Sequence, residues 1–144
     1  MVEQDTIRLL RECDSGIKMG ISAIDEVMEF AHSTEMRQYL QDSSEENEEL
    51  KNDLQKVLAD YHDNGKEPNQ IAKGMSWLKT NMKLKMNESD STIAELMTDG
   101  CNMGIKSLSR YMNEYKAADR RSKDIAKRLI KAEEKLSQNM RQFL

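Results

Sequence analysis

The sequence predicts an all-α protein: a four-helix bundle with one long, partly helical crossover between its second and third helices. Three observations carry this. Helix breakers are scarce, with Pro68 the only proline and six glycines among 144 residues. Apolar residues recur at steps of three and four, which lays them along one face of a helix. One long interruption then separates two pairs of such segments.

Taken in order, Asp5 or Thr6 is placed to cap a first helix reaching about His32. Its stripe is Ile7, Leu10, Ile17, Ile21, Ile24 and Met28, and Asp14 falls on it. After a break at Ser33-Thr34, a second helix runs to about Asp63. Met36, Leu40, Leu50, Leu54, Val57 and Tyr61 form its stripe, with polar Ser43 and Asn47 in the middle. Asp63-Asn64-Gly65 is a stop, because Asn and Gly accept the left-handed backbone that ends helices. Residues 64–90 form the crossover. Pro68 is suited to start a short helix there, with Ile71, Met75, Leu78 and Met82 on one side and Trp77 pinning it to the bundle. The polar stretch Asn87 to Ser91 supplies N-cap residues for a third helix ending near Lys116. A fourth runs from about Asp119 to the C-terminus with Ile125, Leu129, Ala132, Leu136, Met140 and Phe143. The whole chain, 1–144, thus reads as one domain of two hairpins, 6–63 and 91–144.

Composition narrows the function classes. The net charge of −4 disfavours general nucleic-acid binding, which needs a positive surface against phosphates. The basic stretch from Lys116 to Lys135 is interleaved with Asp119, Asp124, Glu133 and Glu134, which reads as a solvated helix face. No segment approaches the roughly 20 apolar residues of a membrane span, and the start lacks a signal-peptide pattern. A cytoplasmic, soluble protein is the expectation. Cys13 and Cys101 fit neither a zinc nor a CxxC pattern and read as buried free thiols. If the two faced each other, they would allow a redox-sensing disulfide. No nucleophile elbow or phosphate-binding glycine loop is present, so no catalytic residue and no cofactor is predicted. The eleven methionines read as adaptable core filling, with an adaptable partner groove as the alternative.

The hairpins also resemble each other. Cys13, Gly16, Ile17 and Lys18 match Cys101, Gly104, Ile105 and Lys106 at an offset of 88. The stretch from Asn47 to Leu54 matches Glu133 to Met140 more loosely, at an offset of 86. A glycine inside a helix costs about 1 kcal/mol against alanine, so Gly16 and Gly104 suggest a packing reason, here close approach of two helices.

With this layout, repeat and paired Gly-Ile places, the chain resembles a ferritin-like family of small bacterial four-helix proteins of rubrerythrin-like layout. Members carry a cysteine or small residue, then Gly-Glu, then an aromatic residue about two turns later; here Tyr111 or Met112 takes the last place in the third helix. The resemblance implies a di-iron site with single Glu ligands at Ile17 and Ile105. It implies Glu-x-x-His at Ser44 with Asn47 and at Ile130 with Glu133. Only Glu133 is a competent ligand, so the resemblance implies a bundle whose metal site is lost. His32 and His62 fall near helix ends and belong to no Glu-x-x-His.

The acidic run Asp42, Glu45, Glu46, Glu48, Glu49 and Asp53 reads as a solvated face paired with the basic fourth helix. Asp14 is the most unusual residue for its place: a buried carboxylate can act as acid or base, but more often pairs with a lysine or a backbone group. The function expected is a non-catalytic bundle acting through contacts with a protein partner or with itself, with no nucleic acid and no membrane. The alternative is a metal-binding or redox and stress-related protein using Asp14, Glu46, Glu133 and the cysteines. A coiled-coil homodimer is a third reading, since the stripes step by three and four.

Overall fold

The computed structural model describes residues 2–68 and 89–144. Every regular element among them is helical: α1 (Val2–Met28), α2 (Thr34–Asp60), α3 (Asp90–Glu114) and α4 (Arg120–Met140), with a closing 3₁₀ turn at Arg141–Phe143. None of these helices is long and apolar enough to cross a membrane. The expected crossover residues Ile71, Met75, Trp77, Leu78, Met82 and Asn87 lie outside the described residues.

Three helix starts follow from local chemistry. Ser33 accepts from the Met36 amide at 2.9 Å, Ser89 from Thr92 at 3.1 Å and Asp119 from Ser122 at 2.8 Å. Each satisfies an amide that the helix leaves without a partner, for about 1 kcal/mol. The first helix differs from expectation. It already runs from Val2, so Asp5 and Thr6 do not cap it. Asp5 instead accepts from the Ala117 amide at 3.1 Å, and Thr6 Oγ1 from the Asp119 amide at 2.7 Å. Both therefore hold the α3–α4 turn against the start of α1. The helix also ends earlier, at Met28.

The expected apolar stripes are the core. Leu10, Ile17, Leu50, Leu54, Ile125 and Leu129 meet Leu9, Cys13, Leu58 and Leu108 in one cluster. Ile24, Met36, Leu40, Leu136 and Met140 meet Val27, Ile93, Ala94, Met97 and Cys101 in the other. The first cluster joins the N-terminal half of α1 to the end of α2, and the second joins the N-terminal half of α2 to the start of α3. The end of α2 and the start of α3 thus lie at opposite ends of the bundle. Asp90, the first residue of α3, confirms the placement. Its carboxylate accepts from the backbone amides of His32 at 2.8 Å and Ser33 at 3.0 Å.

The acidic face of α2 does pair with α4. Arg128 lies 2.9 Å from Asp53, Arg121 2.8 Å from Asp60 and Lys135 3.8 Å from Glu46. These pairs are exposed, so they orient the two helices more than they stabilise them.

The segment after α2 is tied down by Asp14. This fully buried carboxylate accepts from Gln55 Nε2 at 2.7 Å, from Lys18 Nζ at 2.8 Å and from the Lys66 backbone amide at 2.9 Å. Burying a carboxylate is tolerable only with donors of this kind. The turn that brings Lys66 there uses left-handed backbone at His62 (φ 56°) and Gly65 (φ 90°), not at Asn64. A Cβ on Gly65 would overlap the Asp14 carboxylate. Gly65→Ala is therefore expected to lower unfolding stability by about 2 kcal/mol or more, through strain and a displaced carboxylate. Gly16→Ala, inside a helix with space around it, should raise it by up to about 1 kcal/mol. Urea unfolding of the two variants checks both signs.

Candidate functional site: a recess between α1 and α3

α1 packs broadly on α2 and reaches α4 across the bundle, but meets α3 along a thinner seam. There the bundle opens into a recess of about 390 Å³. Small residues face it from both sides: Gly16 and Gly20 on α1, Gly100 and Gly104 on α3. Each pair is four residues apart, hence on one helical face. Apolar side chains such as Ile24, Met97, Leu108, Leu129 and Leu136 make most of the wall, and α2 contributes Ser43 and Asn47.

Close helix approach, the role expected of Gly16 and Gly104, is not what the glycines serve. A Cβ on Gly16 would meet nothing nearer than Leu129 Cδ2, at 4.0 Å. On Gly104 it would meet the Glu133 carboxyl at 3.4–3.7 Å, and on Gly20 Asn47 Nδ2 at 3.5 Å and Glu133 Oε1 at 4.0 Å. A Cβ at each of these places would be in ordinary contact at most, so the glycines border open space and do not bring two backbones together.

Glu133 is the chemical centre of this recess. The Cys101 thiol lies beside it and favours its ionised form. Burial pushes the Glu133 carboxyl up to about 7, against the pull of that thiol toward the ionised form. Burial also pushes Cys101 well above an ordinary thiol, and the neighbouring carboxylate adds to it. Cys101 is thus no thiolate nucleophile at neutral pH. Asn47 is 5% exposed and lines the same recess, yet its side chain makes no hydrogen bond among the described residues. Nearer one end, Glu12 is held by Lys66 at 2.7 Å, with Tyr111 nearby. Asp99 is an exposed carboxylate of the same lining.

Of the places carried over from the di-iron pattern, only Asn47 and Glu133 reach the recess. Ile17 is fully buried in the first core cluster and Ile130 packs on its edge. Ser44 and Ile105 are part-exposed and outside the lining. The groups of the alternative ligand set are engaged separately: Asp14 by Lys18, Gln55 and Lys66, Glu46 beside Lys135, Glu133 by Cys101. No three of His, Cys, Asp and Glu gather closely enough to hold a metal ion among the described residues. Cys13 and Cys101 are free and buried, and they belong to different core clusters. Burial, with the charges of Glu12 and Asp14, pushes Cys13 up to about 12.

Sequence reasoning passed over Gly20 and Gly100. The signal was there: a glycine pair spaced by four in each of the helices that begin the two hairpins.

The raised Glu133 carboxyl has a consequence for stability. In the unfolded chain this group ionises near 4.5, in the folded chain near 7. Between those values the folded state holds the extra proton, so stability falls as pH rises, and the loss is complete above about pH 7. The span corresponds to about 3 kcal/mol. Glu133→Gln should flatten this part of the stability profile and leave the variant more stable than the wild type near pH 8, as read by denaturant unfolding across pH.

Comparison of the chain with protein-family models, with curated proteins and with solved structures finds no match.

Proposed function

We propose that this protein is a non-catalytic helical bundle of ferritin-like layout, with a single long crossover, that works by holding a small and largely apolar molecule in the recess between α1 and α3. The observation that carries this is Asn47. A buried primary amide without partners costs about 1–3 kcal/mol, and such groups in native proteins generally have a function or a bound partner. It sits in a recess whose volume falls in the range of small-molecule sites, with mostly apolar walls and a few polar groups.

Asn47 and Glu133 occupy matched places of the proposed internal repeat, at the offset of 86. The ferritin-like reading is supported by this pairing and by the opposite placement of the α2 end and the α3 start. It accounts for a bundle whose middle is open and polar where relatives would hold ions. A catalytic reading finds no support in a neutral thiol beside a carboxyl with no second acid or base in contact. Nor do the described residues offer a metal-binding reading more than Glu133 and Cys101 at this place.

The test is a variant that fills the space. Gly16→Leu adds a side chain on the recess side, where the wall leaves room, and improves helix propensity by roughly 1 kcal/mol. A neutral solvatochromic naphthalene dye should bind the wild type at one saturable site with blue-shifted emission. It should bind the Gly16→Leu variant at least about tenfold more weakly, a loss of 1.4 kcal/mol or more. Equal binding to the two proteins would refute the recess as the site.

A further inference from the structure

The charges of the recess narrow its occupant further. Three carboxylates line it, Glu12, Asp99 and Glu133, and no lysine, arginine or histidine is among the described lining residues. Glu12 already has Lys66. Asp99 is exposed to water. Glu133 is left, half-buried in the recess, with a thiol beside it and no cation among the described residues. Next to it stands the Asn47 amide, whose side chain makes no hydrogen bond among the described residues. The place where Gly20 lacks a Cβ lies 3.5 Å from Asn47 Nδ2 and 4.0 Å from Glu133 Oε1, so both polar heads border one small volume.

We infer that the occupant is an amphiphilic amine: an ammonium head seated between Glu133 and Asn47, and an aliphatic or arylalkyl body along the apolar wall. This rests on the recess being a ligand site, as proposed above. An ammonium carries three donors. The Glu133 carboxylate and the Asn47 carbonyl oxygen are acceptors placed to receive them, and the pairing supplies the counter-charge that burial of Glu133 otherwise lacks. The weakened acidity of the Glu133 carboxyl agrees with an anion held without a cation. An anionic ligand would meet the Glu133 and Asp99 carboxylates and is disfavoured by charge. A metal ion would find fewer than three ionisable ligands. For the body, Ile24, Leu96, Leu129 and Leu136 give a dry surface, and Met19 and Met97 adapt to its shape. Met103, 67% exposed, stands on the lining where an apolar tail would leave the recess.

Calorimetric titration of the full chain at about pH 8 with octylamine, 1-octanol and octanoate, each below its micellar concentration, tests this. Octylamine should bind one-to-one, at least about tenfold tighter than octanol, because a charge-assisted hydrogen bond to Glu133 is added. Octanoate should bind least. Glu133→Gln, with its fold checked by circular dichroism, should bring octylamine and octanol to within about threefold of each other while octanol binding persists. Equal binding of the three ligands to the wild type, or an octylamine preference that survives Glu133→Gln, overturns the amine assignment and leaves the recess standing. Loss of octanol binding in Gly16→Leu marks that second case as a true recess site. Absence of binding by all three ligands overturns the recess reading itself.

Discussion

One carboxyl group sets the design of the middle of this molecule. Glu133 projects from α4 into the body of the bundle, with no cation facing it among the described residues. It lies beside Gly20 and Gly104, where even a Cβ would make only ordinary contact with Asn47 and the carboxyl. The seam between α1 and α3 is thinner than the contacts of α1 with α2, of α2 with α4 and of α3 with α4. A bundle closed by leucines at this level would be more stable. The open, polar middle is what a binding function would keep at that expense.

The apolar clusters supply the stability, and polar ties at the bundle ends fix how the helices meet. At one end, Asp90 ties α3 to the α1–α2 turn. At the other, Thr6 and Asp5 hold the α3–α4 turn, and the Tyr61 hydroxyl donates to Asp119 at 2.7 Å. Asp14 anchors the segment leaving α2. The contrast between Asp14 and Glu133 is instructive. Both are acidic residues on otherwise inward-facing stripes. Asp14 accepts from two side chains and a backbone amide of its own chain, while Glu133 has a thiol. The first is a structural pin, and the second carries an unspent capacity to bind.

Much of the fold was legible in the sequence because helical periodicity is a local property. The stripes of α2 and α4 are buried at nearly every expected position, and Ser33 and Asp119 start helices where their side chains can cap them. What failed was non-local. Asp5 and Thr6 look like caps of the nearest helix, yet they serve a turn more than a hundred residues away. Gly16 and Gly104 were legible as special, but the sign of their effect was not. A helical glycine marks either contact or space, and only the position of Glu133 on another helix decides between them. Asn47 was visible as a polar interruption of the α2 stripe, without any means of telling that it would share a recess with Glu133. The pattern of glycines four apart on both α1 and α3 was the one sequence feature that pointed to the recess.

The central claim is that Glu133 is largely desolvated and faces no compensating charge among the described residues. Carbon-13 NMR of the glutamate side-chain carboxyls, followed through a pH titration, reads this directly. The account predicts one carboxyl, absent in Glu133→Gln, that titrates near 7. A Glu133 resonance titrating near the ordinary value of 4.5 would mean that the group is solvated or paired, and would contradict it.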